Sequence, residues 1–345
     1  MTENFQDEAV QEHDVIAAYQ WVLGRDPESV SKVQTHLAKS VTVRDLRLSF
    51  LRSPEFSRTI DRLAILSDSA QQQVNAVPQI VNSVRLLFLH IPKTAGSSLF
   101  QAIESALPAP GLCPTRQNTL LTRPLIELGQ YQAFFGHYDF RMIGLLPGEP
   151  CVFTMLRDPR ERLISLYRYL RAHTAERVRV ESLALAGVAR ECGLGEFLNK
   201  ARLLAPATVD NTYVRTLGGA LPLRRWEDRA EAGWLQNQSA DTLSLLPAAQ
   251  ATLRRCDAVG VVEAFDSSIA AFNDVLEKKL GCTLRLPPRR QVTDGLAETS
   301  PGFETVAPRS ALQAEVDAAA DLLDELTVGD RLLYQTACAR LDHAR

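Results

Sequence analysis

Six consecutive residues, Lys93-Thr94-Ala95-Gly96-Ser97-Ser98, combine one full positive charge with three hydroxyls and two small residues. An apolar run, Leu86 to Leu89, precedes them and stops at Pro92, and Leu99 to Ala106 beyond them has helix-forming composition. Strand, small-residue loop and helix in that order aim backbone N–H groups and the positive end of a helix dipole at whatever occupies the loop. Lys93 adds a charge and Thr94, Ser97 and Ser98 add hydroxyl donors, so the chemistry on offer is the holding of a phosphate or similar oxyanion. Standing alone, the loop has a plainer alternative, a strand-to-helix turn with an incidental lysine.

A second group of residues points the same way. Cys151 to Leu156, CVFTML, reads as a buried strand, and Arg157-Asp158-Pro159 follows it. Asp158 is placed to cap a helix with Pro159 at its first position. Arg157 offers a planar fork suited to a phosphate, or else an ion pair with Asp158 or Glu161. Ser165 lies about two helical turns further on, within reach of the same anion only if the loop folds back beside that helix. Both Lys93 and Arg157 follow the carboxyl ends of strands, the edge of an open α/β sheet where ligands bind. Two anion sites on one edge suit a ligand with phosphates at two places.

His137 follows a further strand-like run, YQAFFG. An imidazole with an ordinary pKa near 6.5 can take the proton of an attacking hydroxyl at neutral pH. A structural histidine beside Tyr138 and Asp139 is the alternative, with Asp139 the reserve base. His90 reads as a satisfied core residue, and Asn211 and Arg215 as structural or ligand-contacting in equal measure. Arg168, Arg171, Arg177 and Arg179 read as a solvated helical face, with attraction of an anionic glycan as the alternative.

The elements that position these residues alternate. Strands at Leu86–Leu89, Tyr131–Gly136, Cys151–Leu156 and Ala258–Val262 are separated by helical patterns, including Ser267–Leu280, and two helices, Ser310–Leu326 and Gly329–Leu341, close the chain. That order predicts an α/β protein with a parallel sheet covered by helices. Ahead of it, helices starting at Asp14 and Ser29 and one capped by Thr42 predict a small all-α domain over 1–66. Residues 67–83, polar and containing Pro78, read as a linker, and 84–345 as the main domain. Leu221–Asn237 reads as a polar excursion.

Composition narrows the class. The chain has 345 residues, 46% hydrophobic and 23% charged, with a formal net charge of -3, which gives no global basic field for nucleic acid. Six cysteines form neither a CxxC pair nor a Cys/His cluster, so neither zinc nor a disulfide framework is expected, and a reducing cytosol fits. The start, MTENFQDE, is acidic where a signal peptide is basic, and no apolar run approaches the roughly 18 residues of a membrane span. A cytoplasmic protein, with at most peripheral membrane contact, is the expectation.

FLHIPKTAGSSL resembles the 5'-phosphosulfate loop of carbohydrate sulfotransferases related to heparan sulfate 2-O-sulfotransferase (sulfotransferase family 2), and RDPRERLISLYRYL resembles their 3'-phosphate motif. FFGHYDF, DNTYVRTLGG, VGVVEAF and GDRLLYQTA follow in the family's order, so the likeness spans roughly Arg85 to Arg340. It implies a P-loop nucleotide-kinase-like fold and the donor 3'-phosphoadenosine-5'-phosphosulfate (PAPS), with a carbohydrate or glycan as acceptor. Lys93, Thr94, Ala95, Gly96, Ser97 and Ser98 would hold the 5'-phosphosulfate, Arg157 and Ser165 the 3'-phosphate, and His137 would be the base. Some relatives carry a second histidine where this chain has Phe135. Separately, AYQWVLGRDPES and LRLSFLRSPEF resemble the small helical DUF4214 module, over about Asp14 to Ile60.

The implied reaction is an in-line transfer of a sulfuryl group to a sugar hydroxyl, with Lys93 steadying the departing phosphate and no metal required. Two rivals stand beside it. A kinase or NTPase loop needs glycines where this chain has Leu87 and Pro92, and a catalytically inactive glycan-binding protein would use the N-terminal module instead.

Overall fold

Four short apolar runs form one sheet in the computed structural model, which describes residues 9–23, 26–56, 84–107, 111–118, 120, 125–146, 148–219, 242–286 and 301–343. The strands are β1 (Val84–Leu89), β2 (Ala133–Gly136), β3 (Glu149–Leu156) and β4 (Ala258–Val261). All pairings are parallel and the order is β2-β1-β3-β4. The expected linker at 67–83, the positions Ile60, Leu63 and Leu66, and the Leu221–Asn237 excursion lie outside the described residues.

The strands carry hardly any polar alternation because both faces are covered. Alternate side chains feed two cores, as a period of two requires. Leu87, Leu89, Phe134, Val152, Leu156 and Val259 enter one, while Leu86, Phe88, Phe135, Phe153 and Met155 enter the other. The second face is covered by α4 (Gly96–Ala106), through Leu99 and Ile103, and by α7 (Phe265–Leu280), through Ile269, Phe272 and Leu276. The first is covered by α6 (Thr212–Gly218) and α8 (Val328–His343). A third cluster joins α5 (Pro159–Arg171) to the helices Ala184–Glu191 and Leu194–Leu204.

The N-terminal helices are α1 (Glu12–Leu23), α2 (Val30–Lys39) and α3 (Val43–Leu51). Thr42 caps α3 in a full capping box with Asp45. Tyr19, His36 and Phe50 pack ring against ring, and their apolar core is continuous with the first face of the sheet. Arg47 Nη2 donates to the Leu146 carbonyl at 3.2 Å, tying α3 to the chain just before β3.

Two differences from the sequence reading have physical causes. The first of the two closing helices, expected at Ser310–Leu326, is broken: a turn at Arg309–Leu312 leads to Gln313–Ala318 and Ala320–Glu325. The break falls at Ala319, whose φ of -100 departs from helical backbone, and Leu312, Val316, Leu323 and Leu326 on its two sides pack into the third cluster. The first helix after β1 starts at Gly96 rather than Leu99, because a left-handed Ala95 turns the chain early.

Chain order and strand order together locate a crevice. β1 leads to its neighbour on one side, β2, and β3 leads to its neighbour on the other, β4. The connections leaving β1 and β3 therefore part company, and ligands in open α/β sheets bind outside the carboxyl ends at such a point.

α6 and α8 brace each other by exchanging caps. Asn211 Oδ1 accepts from the Gly329 and Asp330 amides at 2.7 and 3.4 Å. Asp330 Oδ1 accepts from the Tyr213 and Val214 amides at 2.8 and 3.1 Å. Asn211 occupies the left-handed region, φ 45, which asparagine tolerates better than most residues. Asn211→Ala removes a cap and strains that position; a loss of about 2 kcal/mol in urea unfolding is expected, and unchanged stability would show that the exchange contributes nothing.

Candidate functional site

β1 ends at Leu89, and the chain then turns sharply. Lys93 and Ala95 both adopt left-handed backbone, φ 71 and 61, a strain that surrounding contacts must hold. Thr94 is buried and donates its hydroxyl proton to the Ile91 carbonyl at 2.8 Å. Gly96 lies against the His90 imidazole: a Cβ there would stand 2.1 Å from Cε1 and Nε2, so only glycine fits. Beyond it α4 opens with no side-chain cap, which leaves its first amides facing outward with Ser97 exposed and Ser98 half-buried. Of the six expected loop residues, Thr94, Ala95 and Gly96 thus shape the turn, Lys93 packs over Tyr169, and Ser97 and Ser98 open α4.

His137 stands at the end of β2, beside the end of β1. His90 N–H donates to the Gly136 carbonyl at 2.8 Å, and the His90 carbonyl lies 3.0 Å from His137 Nδ1. A carbonyl only accepts, so Nδ1 carries the proton and the neutral ring is basic at Nε2. The two imidazoles pack with centroids 4.9 Å apart. His90 is not the satisfied core residue expected: it is buried, its Nδ1 has no hydrogen-bond partner, and burial, then His137, Arg116 and Lys93, hold its pKa well below the usual imidazole value. Asp139 is not available as a reserve base. It is fully buried, ion-paired to Arg141, and bonded to the side chain of Asn118.

Arg157 follows β3, on the other side of β1. Asp158 caps α5 by accepting from the Glu161 amide at 3.0 Å, with Pro159 at the first helical position. Glu161 pairs instead with Arg309, at 2.9 Å. Among the described residues Arg157 has no ion pair, and its Nε is buried without a hydrogen-bond partner. Ser165, half-buried on α5, likewise has no hydrogen-bond partner among the described residues. The Lys93 loop packs against α5: Lys93 Nζ stands 4.0 Å from the centre of the Tyr169 ring.

Burial, Arg157 and Arg168, in that order, bring the Lys93 pKa down to about 7. The cation–π contact favours the charged form but does not offset them. Among the described residues neither Lys93 nor Arg157 has an ion pair, so the two cations gain from an anion.

Three residues missed by sequence reasoning shape this edge. Tyr169 seats Lys93, Tyr213 holds the Arg157 backbone, and Arg116, stacked over Phe100 with its carbonyl accepting from His137 N–H, has a buried, unpartnered Nε. Tyr169 follows Ser165 by four residues, so helical spacing alone could have placed it on the same face. Asn211 and Arg215 prove structural, the first as a cap and the second through its ion pair with Asp210 at 2.6 Å. The arginine-rich face is not simply solvated: Arg168 is buried with Nε on the Ala307 carbonyl, and Arg177 stacks on Phe303. Arg168, Arg171 and Arg190 line a cavity of about 380 Å³ with Glu304 and Glu315. Among the described residues, no group of three His, Cys, Asp or Glu is placed to hold a metal ion, and no helix is long and apolar enough to cross a membrane.

Neither the protein-family models nor the curated proteins compared with this chain give a match.

The low pKa of Lys93 has a sign that stability reads. The unfolded lysine keeps its proton to about pH 10.4, so the folded state binds fewer protons between about 7 and that value, and wild-type stability rises with pH there. Lys93→Met is therefore expected to exceed wild type in stability below pH 7, with the advantage shrinking as pH climbs toward 10. An advantage independent of pH would contradict a depressed Lys93.

Proposed function

We propose that this protein transfers a sulfuryl group from PAPS to a hydroxyl of a carbohydrate. The observation that carries the reading is the pair of cations flanking the switch point, Lys93 after β1 and Arg157 after β3, neither with an acidic partner among the described residues. The residues suit a ligand phosphorylated at both ends. The uncapped amides of α4, Lys93, Ser97 and Ser98 would hold the 5'-phosphosulfate. Arg157 Nε and the Ser165 hydroxyl, both without hydrogen-bond partners among the described residues, would hold the 3'-phosphate.

The chain's own groups then have definite roles. The donor, when bound, supplies a sulfuryl group on a phosphate leaving group. His137 Nε2 accepts the proton of the attacking hydroxyl, since Nδ1 is committed to the His90 carbonyl. The α4 amides and Lys93 stabilise the charge left on the phosphate oxygen as its bond to sulfur breaks, a contact typically worth about 2.7–4 kcal/mol of barrier. A nucleotide kinase is disfavoured because Leu87, where its loop needs glycine, is a fully buried β1 residue. The P-loop-like character of the fold belongs to this proposal, as does a cytoplasmic site of action.

Calorimetry should find that 3'-phosphoadenosine-5'-phosphate (PAP), the product form of the donor, binds more tightly than ATP, and that Lys93→Ala and Arg157→Ala each weaken it. Failure of PAP to bind, or tighter ATP, overturns the reading. An anion restores the proton of Lys93, so PAP binding above pH 7 should take up a proton and weaken as pH rises, and Lys93→Ala should abolish that uptake.

His137→Ala should lower turnover by about 10²–10⁴ while PAP affinity is retained. Undiminished turnover in that variant excludes His137 as the base.

A further inference from the structure

Among the described residues nothing acidic pairs with the Arg157 side chain, so its backbone sets where the guanidinium starts. A single hydroxyl does this. Tyr213 Oη accepts from the Arg157 amide at 3.2 Å and donates to the Arg157 carbonyl at 2.7 Å. It straddles both main-chain polar groups of one residue, fixing the direction in which the side chain leaves β3.

Tyr213 is itself held from several sides. It is fully buried in the first turn of α6, and its amide donates to Asp330 Oδ1 of α8 at 2.8 Å. The guanidinium of Arg162, on α5, lies 5.7 Å from its ring centre. Arg162 Nη2 donates to Thr212 Oγ1 at 2.8 Å and the Thr208 carbonyl at 3.2 Å, tying α5 to the start of α6. Arg157 and Ser165 are thus both suspended from one buried junction. The Lys93 loop hangs from a different one, made by Ile91, His90 and Gly96.

We propose that Tyr213 is a positioning residue for recognition of a nucleotide 3'-phosphate: it acts through Arg157 without touching the ligand, and leaves the 5'-phosphate loop unaffected. This rests on the donor reading above. Loss of the hydroxyl leaves the Arg157 amide and carbonyl without their partner and frees the backbone torsions, an error that grows along the arginine side chain. Only the 3'-phosphate contribution should suffer.

The test is calorimetry on the full chain with two probes, PAP and AMP, the latter having the 5'-phosphate alone. Tyr213→Phe should weaken PAP about tenfold, equivalent to about 1.4 kcal/mol, and leave AMP within about twofold. In an Arg157→Ala background the same substitution should have no further effect on PAP. Equal losses for both probes, or no loss for PAP, overturn the inference. Lack of preference for PAP over AMP in the wild type overturns instead the donor reading on which it rests. Amide hydrogen exchange on the wild type covers the case of a variant that does not fold: the Arg157 amide should be protected without any nucleotide, and rapid exchange there overturns the inference.

Discussion

Two like charges at neighbouring strand ends, Lys93 and Arg157, set the terms for the surrounding structure. Neither has an acidic partner among the described residues, and burial, followed by the charges of Arg157 and Arg168, brings the lysine to a pKa of about 7. Such a pair is unfavourable without a counter-ion, so buried contacts elsewhere must hold it. On the β1 side these are the Thr94 hydroxyl, the close fit of Gly96 to His90 and the Tyr169 ring. On the β3 side they are Tyr213 and the exchange of caps between α6 and α8. The parallel sheet supplies the geometry: its order places the two loops on either side of a crevice.

The third strand end adds a different chemistry to the same edge. His137 is oriented by a main-chain carbonyl, not by a carboxylate, and that carbonyl belongs to His90, the residue whose ring limits position 96 to glycine. One residue therefore couples the tautomer of the proposed base to the shape of the anion loop. The carboxylate nearest in sequence, Asp139, is consumed by Arg141 and Asn118, which keeps a negative charge from competing for the cations that an anionic donor needs.

Much of this edge was legible from residue types alone. Lys93 and Arg157 each follow an apolar run, and the rule that ligands collect at strand carboxyl ends was enough to group them; His137 was singled out by its imidazole chemistry and the resemblance. The Asp158–Pro159 helix start and the Thr42 cap were legible because caps are local. What the sequence could not display were contacts between distant residues. Tyr213 and Arg157 are separated by 56 positions, so the brace has no local signal. His90 read as satisfied because nothing in its neighbourhood shows that Nδ1 lacks a partner. Arg168 read as solvated because the segment that accepts from it, at Ala307, is 139 positions along the chain.

The central claim is that one ligand spans both cationic loops. A crystal structure of the protein with PAP tests it most directly. The account predicts one phosphate against the α4 amides and Lys93 and the other against Arg157 and Ser165, with the β1–β3 crevice between them. A nucleotide with both phosphates on the Lys93 loop, or one bound away from Arg157, would contradict it.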